Sequence, residues 1–336
     1  MKTHLTVALA LALGLGTALP AAAEVNVYSY RQPELIQPLV DAFTEETGIE
    51  VNIAFLNKGL TERLMAEGRR TPADIILTAD IQRLTEAVEA GVTQAVESKV
   101  LAANVPAAFR DEDNHWFGLT SRARVVYAST TRVAEGEVTT YEDLADPKWQ
   151  GRICTRPGTH AYNTALTAAM LAHHGTEYTK TWLEGLRANL AMKPQGNDRA
   201  QVKSIWAGEC DISLGNTYYM GEMLEDEEQR AWAEAVRIAF PVFEDGGTHV
   251  NISGVAMTAH AKNPEDALRF MEFLTAPEAQ AIYAAANHEY PLSAEASPSE
   301  LVAGWGSFTP DTLDLTALAS ERGEALKLTQ EVDFDG

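Results

Sequence analysis

Strand-like and helical runs alternate along most of the chain, and this alternation limits the fold more than any other feature. Glu24–Ser29 has the pattern of a first strand, and apolar side chains at helical spacing follow it from Leu35 to Phe43. Residues 73–78 form a nearly continuous apolar run, which is typical of a strand buried on both faces of a sheet. Since helices keep separating the strands, the sequence predicts an α/β protein whose mixed, mostly parallel sheets are flanked by helices.

Two longer strand-like runs, at residues 116–128 and 250–259, cross between two parts of the chain. The stretch between them has roughly 120 residues, which is the size of a domain rather than of a loop. A discontinuous first lobe and an inserted second lobe would leave a cleft for a ligand near the carboxyl ends of strands. We predict these limits: a first lobe of residues 24–122 and about 251–300, a second lobe of residues 123–250, and C-terminal helices of residues 301–336 packed on the second lobe.

The beginning of the chain has the pattern of a targeting segment. Lys2 precedes an apolar run that ends in three alanines at residues 21–23, which is a small-residue cleavage pattern. The sequence therefore predicts a secretory signal peptide at residues 1–23 and a periplasmic location for the mature protein. A membrane anchor is the alternative, but the apolar run is shorter than the ~20 residues that span a bilayer.

The charge balance and the missing motifs exclude several functions. The chain has 48 acidic and 26 basic residues and a formal net charge of −22. Nucleic-acid binding and attachment to anionic membranes both need a basic face, so we expect neither a nucleic-acid partner nor membrane insertion. The signatures GxSxG, HExxH, GxGxxG and GxxxxGK[ST] do not occur. A secreted hydrolase would need a nucleophile–base pair that the sequence does not offer, so we expect no enzyme.

Cys154 and Cys210 are the two cysteines of the chain, and each lies beside an apolar strand-like run. In an oxidising compartment such a pair predicts a disulfide, and two free buried thiols are the alternative. Neither cysteine belongs to a CxxC motif or stands beside a histidine, which argues against zinc binding and redox catalysis.

Tyrosines stand at the ends of several predicted strands. Tyr218 and Tyr219 follow the strand that leads to Asn216, Tyr162 comes shortly after another strand, and Tyr30 ends the first one. Taken singly, each is more often a core or cleft-lining aromatic residue than a ligand. Together they would place phenol groups on three loops that face one cleft.

Phenol oxygens in this arrangement favour one kind of ligand. A phenolate is a hard, anionic donor, but the pKa of a free phenol is near 10, so only a strongly polarising cation such as Fe³⁺ ionises it at neutral pH. Softer metals would need Cys, Met or several His, and calcium would need acidic loops that are absent. Water, a small anion or a fourth phenolate could complete the coordination. Arg31, Arg122 and Arg124 could offset added negative charge, or they could form surface or hinge salt bridges.

Residues 216–219, Asn-Thr-Tyr-Tyr, resemble the paired iron tyrosines of the periplasmic iron(III)-binding proteins of ferric ABC importers. Tyr162 is similar to the third tyrosine of the tyrosine-rich subgroup, and Arg124 to the cleft arginine of the family. The resemblance covers essentially the whole mature chain. Its wider signals, at residues 39–49, 72–75 and 141–151, also occur in binders of other ligands.

The resemblance implies a type-2 periplasmic binding protein that captures ferric iron and delivers it, as a monomer, to an ABC permease in the inner membrane. Gln32 and Ala79 replace the histidine and glutamate that one subgroup uses, so the first-lobe ligand departs from the pattern. The implied metal ligands are Tyr162, Tyr218, Tyr219 and Tyr30. The implied residues for a small anion such as carbonate, or for support behind the ligands, are Arg31, Gln32, Arg124, Asn163 and Asn216.

One alternative within the same fold stays open at this point. The cleft could bind a small organic solute such as a polyamine or thiamine, with the tyrosines stacking on it. A cation of that kind would need Asp, Glu and Trp in the cleft, whereas the matched positions are Tyr, Arg and Asn.

Overall fold

Helices and strands alternate in the structure in the order that the sequence predicts. The structure is a computed structural model that describes residues 23–336, so the predicted signal peptide, except its last residue, lies outside the described residues. The strands are β1 (Glu24–Ser29), β2 (Glu50–Phe55), β3 (Ile75–Thr78), β4 (Phe117–Ser129), β5 (Ile153–Cys154), β6 (Ile212–Asn216), β7 (Val236–Ala239), β8 (Val250–Met257) and β9 (Tyr290–Pro291).

The helices lie between these strands and at the C-terminus. They are α1 (Pro33–Thr47), α2 (Leu60–Glu67), α3 (Ile81–Glu89), α4 (Lys99–Asn104), α5 (Ala161–Ala188), α6 (Asp198–Trp206), α7 (Tyr218–Glu225), α8 (Arg230–Glu234), α9 (Pro264–Thr275), α10 (Pro277–Asn287), α11 (Glu300–Ala303), α12 (Leu315–Ser320) and α13 (Arg322–Glu331). Within residues 23–336, none of them is both long and apolar enough to cross a membrane.

The strands pair in the order β2-β1-β3-β8-β4-β6-β5, and β7 and β9 also pair with β4. Strand β1 is parallel to β2 and β3, and β5 is parallel to β6. Strands β4 and β8 run antiparallel to their neighbours. The predicted α/β class is confirmed. The sheet carries more antiparallel pairing than we predicted, because the two crossing strands enter it against the direction of its parallel core.

Strand β4 connects the sheets of the two lobes. Its first part, from Phe117 to Ala123, pairs with β8, and its second part, from Arg124 to Ala128, pairs with β6. All of its residues are buried. The change of partner falls between Ala123 and Arg124, close to the predicted crossing, while the exact lobe limits stay a prediction.

Local sequence signals explain where the first helix begins and ends. Pro33 occupies the first turn of α1, where its missing N–H removes no hydrogen bond. Gly48 ends the helix in the left-handed region, with φ 73°, and its N–H donates to Thr44 O. Because α1 follows β1 directly, residues 30–32 form the short loop between them.

The C-terminal helices pack across the structure. Helix α13 lies along α5, and α12 contacts both α5 and α3. Arg322, at the start of α13, forms an ion pair with Asp80, which lies between β3 and α3. The C-terminal segment therefore touches both lobes, and not the second lobe alone.

Cys154 and Cys210 form a disulfide that joins β5 to the loop before β6. The two cysteines are 56 residues apart. In the chain-entropy description, closing a loop of that size stabilises the folded state by on the order of 4 kcal/mol. We expect the Cys154→Ser, Cys210→Ser double variant to lose free energy of unfolding of about this size in urea titrations. A loss below ~1 kcal/mol would contradict this expectation.

Candidate metal centre

The junction between β6 and α7 positions two of the candidate tyrosines. Strand β6 ends at Asn216, and α7 begins at Tyr218 after a single linking residue, Thr217. The N–H of Thr217 donates to Ala123 O on β4, which fixes the turn. Tyr218 and Tyr219 therefore lie in the first turn of α7, with their ring centroids 4.3 Å apart.

Tyr162 reaches the same place from the start of α5. His160 caps this helix, since its Nδ1 accepts a hydrogen bond from the Tyr162 N–H at 3.2 Å. The hydroxyl of Tyr218 donates to the hydroxyl of Tyr162 at 3.0 Å. The structure thus brings Tyr162, Tyr218 and Tyr219 into one cluster, although they are far apart in sequence.

This cluster, which we call the tyrosine cluster, borders a cleft between the lobes. The cleft has a volume of about 330 Å³, and Tyr30, Arg31 and Gln32 line its first-lobe side. Larger cavities lie elsewhere, of about 530 Å³ beside Phe308 and about 560 Å³ beside Phe273. Neither of these collects several phenol groups, so the cleft is the candidate site.

Burial keeps two of the clustered phenols, those of Tyr218 and Tyr219, protonated in the ligand-free protein. It raises the pKa of Tyr218 well above its ordinary value, and a negative charge on Tyr162 or Tyr219 would raise it further. Burial and the neighbouring Tyr162 raise the pKa of Tyr219 to about 12. Tyr218 and Tyr219 therefore become anionic only when a cation compensates the charge.

Arg124 lies behind the tyrosine cluster in a buried polar network. Its Nη1 is 2.7 Å from Asp198 Oδ2, and both side chains are almost completely buried. The same guanidinium donates to Asn216 Oδ1 at 3.1 Å and to Asn163 Oδ1 at 2.6 Å. Asn216 Nδ2 lies 3.4 Å from the Tyr218 hydroxyl. Asp198 is shared with Arg156, whose Nη1 lies 3.2 Å from Asp198 Oδ1. Arg124 is thus held in this network and supports the cluster together with the two asparagines.

The first-lobe candidates lie across the cleft. The Tyr30 hydroxyl accepts a hydrogen bond from the Leu60 N–H at 2.9 Å, and the Arg83 guanidinium stacks 3.7 Å from the ring centroid. Arg31 forms a buried ion pair with Glu289 at 2.9 Å. Gln32 is exposed at the start of α1, where its side chain makes no capping hydrogen bond. Arg31 thus follows the salt-bridge alternative, while the Tyr30 oxygen keeps lone pairs that could meet a cation.

Arg122 is the cation that best suits an anion in this cleft. It lines the cleft, is 3% exposed, and donates through Nη2 to Ala79 O. Its Nε and Nη1 have no hydrogen-bond partner within residues 23–336. The position of Arg122 on the crossing strand was the available sequence signal. Sequence could not show that Arg122 has no carboxylate partner within residues 23–336, whereas Arg124 is paired with Asp198.

Two carboxylates of the cleft were not predicted as site residues. Glu289 is buried against Arg31, and Glu222 lies one helical turn beyond Tyr218 on α7. The spacing of four residues could have placed Glu222 on the same helix face as Tyr218. No group of three or more His, Cys, Asp or Glu side chains suited to a metal occurs in the described part of the chain. The candidate metal centre therefore depends on phenol oxygens.

Comparisons with known proteins agree with this geometry. The Iron uptake protein A1 of Synechocystis is 44% identical to the chain over 314 residues, which are 93% of this chain and 87% of that protein. The ferric iron-binding protein A of Mannheimia haemolytica, solved in an open conformation, is 51% identical, with a TM-score of 0.89, and the match covers 94% of this chain and all of that one. A Trichodesmium protein in complex with iron and citrate ligands is 38% identical, with a TM-score of 0.89, over 93% of this chain and 100% of that one.

A family model supports the same assignment. The model for bacterial extracellular solute-binding proteins matches residues 70–304, which is more than half of the chain. The two-lobed α/β fold, the cleft and these relatives all agree with the match. The chain therefore belongs to the bacterial extracellular solute-binding protein family.

Proposed function

We propose that this protein is a carrier of ferric iron that binds the ion with the phenolate oxygens of Tyr162, Tyr218 and Tyr219. The contact between the Tyr162 and Tyr218 hydroxyls, with the Tyr219 ring 4.3 Å from that of Tyr218, is the observation that carries this proposal. Relatives named for iron uptake or ferric iron binding, at 44% and 51% identity, support it. They are transport proteins, and the protein is accordingly not an enzyme.

The charges of the site suit a trivalent cation. Three phenolates would balance Fe³⁺, whereas burial makes the same phenolates unfavourable beside a cation of lower charge. Arg122 could then hold a small anion, such as carbonate, at the remaining coordination positions, because two of its nitrogens, Nε and Nη1, face no partner in residues 23–336. Arg124 stays bound to Asp198 and supports Asn216 behind the phenols.

The two lobes give the carrier a way to capture and release its cargo. The tyrosine cluster belongs to the second lobe, while Tyr30 and Gln32 face it from the first. Closing the cleft would complete the coordination from both sides and exclude water, so affinity and closure are linked.

We propose that the carrier acts in the periplasm as a monomer and delivers iron to an ABC permease of the inner membrane. The extracellular solute-binding family and the signal-peptide pattern at residues 1–23 support this location. The cleft is built from one chain, so the site needs no second copy.

An organic cation fits the cleft less well than ferric iron does. Neither tryptophan nor aspartate is among the described residues that line the cleft, and one of its two glutamates, Glu289, is already paired with Arg31. A polyamine or thiamine could stack on the tyrosines, but both cleft glutamates already lie beside arginines, Glu289 beside Arg31 and Glu222 beside Arg199, so it would lack free ion-pairing groups.

Competition binding tests the proposal against this alternative. The mature protein is titrated with a ferric chelate, and spermidine and thiamine are titrated separately by calorimetry. We expect one ferric ion per chain to leave the chelator and no measurable heat with either organic cation. Binding of spermidine or thiamine without ferric uptake would refute the iron carrier.

Tyr30 is the first-lobe group that we propose as the fourth ligand. The Tyr30→Phe variant should bind ferric iron roughly tenfold more weakly, because the three second-lobe phenolates would still hold the ion. In the variant the Leu60 N–H, at the N-terminus of α2, loses the hydrogen bond that the Tyr30 hydroxyl accepts. An unchanged affinity, measured by chelator competition, would remove Tyr30 from the ligand set.

A further inference from the structure

The second lobe touches the first directly beside the tyrosine cluster. Gly221 follows Tyr218 and Tyr219 on α7, and the imidazole ring of His288 lies against it. A Cβ atom built on Gly221 would lie 2.3 Å from His288 Cγ, with two further ring atoms at 2.6 Å. The backbone of α7 and the ring of His288 are therefore in contact with no space for a methyl group.

His288 is fixed on a corner of the first lobe. It ends α10 in the left-handed region, with φ 52°, and the residue is 8% exposed. The next residue, Glu289, is buried in an ion pair with Arg31 and accepts a hydrogen bond from Ser253 at 3.0 Å. Because the backbone on both sides is held and the residue is buried, making room at Gly221 requires a new rotamer of His288 or a shift of the lobes.

Charged groups reinforce this contact from the second lobe. His288 Nε2 lies 3.3 Å from Glu225 Oε2, at the end of α7. The same contact thus places a carboxylate of α7 beside an imidazole of the first lobe.

We propose that Gly221 and His288 are positioning residues that set how closely the tyrosine cluster approaches the first-lobe wall. The contact joins the helix that carries Tyr218 and Tyr219 to the corner that also holds Arg31, next to Tyr30. A larger residue at position 221 would hold the lobes apart without touching any ligand. This inference rests on the proposed function, because its main readout is ferric affinity.

The test uses the mature protein and four variants. Gly221→Ala should weaken ferric binding about tenfold or more, equivalent to ~1.4 kcal/mol, which is within what overpacking costs. His288→Gly removes the ring and suits the left-handed backbone, so the Gly221→Ala, His288→Gly double variant should bind as His288→Gly does. Gly323→Ala is the matched control. Gly323 also lies in a helix, α13, and a Cβ atom there would meet no atom within 4 Å.

Two readouts separate the possible results. Chelator competition gives ferric affinity, and small-angle scattering of the unloaded proteins should show a larger radius of gyration for Gly221→Ala than for Gly323→Ala. The inference is overturned if Gly221→Ala binds ferric iron as tightly as Gly323→Ala does, or if Gly221→Ala loses cooperative melting. It is also overturned if the Gly221→Ala, His288→Gly double variant binds ferric iron more weakly than His288→Gly does. Failure of the wild-type protein to bind ferric iron would instead refute the proposed function. The radii of gyration of Gly221→Ala and Gly323→Ala would still test the contact between Gly221 and His288.

Discussion

Replacing Tyr219 by Phe should weaken ferric binding by more than ~100-fold, because it removes one of the three phenolates that balance Fe³⁺, and this costs more than the 10–100-fold that supporting residues typically contribute. The substitution removes one oxygen and keeps the ring, so the contact with the Tyr218 ring, whose centroid lies 4.3 Å away, can persist. The site would then hold two second-lobe phenolates against a trivalent charge. Competition with a ferric chelator of known affinity measures the loss.

Tyr178→Phe is the matched control for this variant. Tyr178 is 43% exposed and lies on α5, well along the helix from Tyr162. Its loss of a hydroxyl should leave ferric affinity unchanged, and both variants should keep the melting temperature of the wild type within a few degrees. Equal affinities for Tyr219→Phe and Tyr178→Phe would show that Tyr219 is not a ligand.

Acidification should release the iron steeply. In the ligand-free protein, burial raises the pKa of Tyr219 to about 12 and that of Tyr218 well above its ordinary value, so both phenols carry protons at neutral pH. Binding replaces each proton with the metal. Each exchanged proton changes affinity about tenfold per pH unit, so these two phenols alone give roughly 100-fold weaker binding for each unit of decrease.

Ferric affinity should fall, and not rise, as the pH is lowered, because the ligand-free state is the one that holds the protons. Below a pKa of about 12 the ligand-free form of Tyr219 is protonated, so lowering the pH favours that form over the iron-bound phenolate. Chelator competition between pH 5.5 and 7.5, corrected for the protonation of the chelator, gives the slope. Tyr219→Phe should lower that slope by one proton per iron. A slope that is flat, or equal in the two proteins, would contradict phenolate coordination.

Much of the fold could be predicted from the sequence because its signals are local. The start of α1 at Pro33 and its end at Gly48 depend on a missing N–H and on a left-handed backbone. The crossing strand β4 could be predicted from its long apolar run, since it is buried along its whole length. The strand–helix junction before Tyr218 could be predicted in the same way.

The pairing of charged groups could not be predicted, because the partners lie far apart in sequence. Arg124 meets Asp198, and Arg31 meets Glu289 at the other end of the chain. A strand pattern shows that an arginine is buried or exposed, but not which carboxylate offsets it. For the same reason sequence could not separate Arg122, which forms no ion pair within the described chain, from Arg124, which pairs with Asp198.

The contact between Gly221 and His288 also could not be predicted from the sequence. The need for glycine at position 221 comes from the ring of His288, which belongs to another lobe and a later helix. A glycine inside a short helix usually indicates only a weaker helix. Here the structure gives it a steric reason, and the reason concerns the approach of the two halves of the site.

The visible spectrum of the ferric-loaded protein tests the central claim most directly. Ionised phenols bound to ferric iron give a charge-transfer band, and resonance Raman excitation within that band should show tyrosinate ring vibrations. We predict a coloured protein with one iron per chain, whose band weakens in Tyr162→Phe, Tyr218→Phe and Tyr219→Phe and is unchanged in Tyr178→Phe. A protein that retains stoichiometric ferric iron but stays colourless would contradict phenolate coordination.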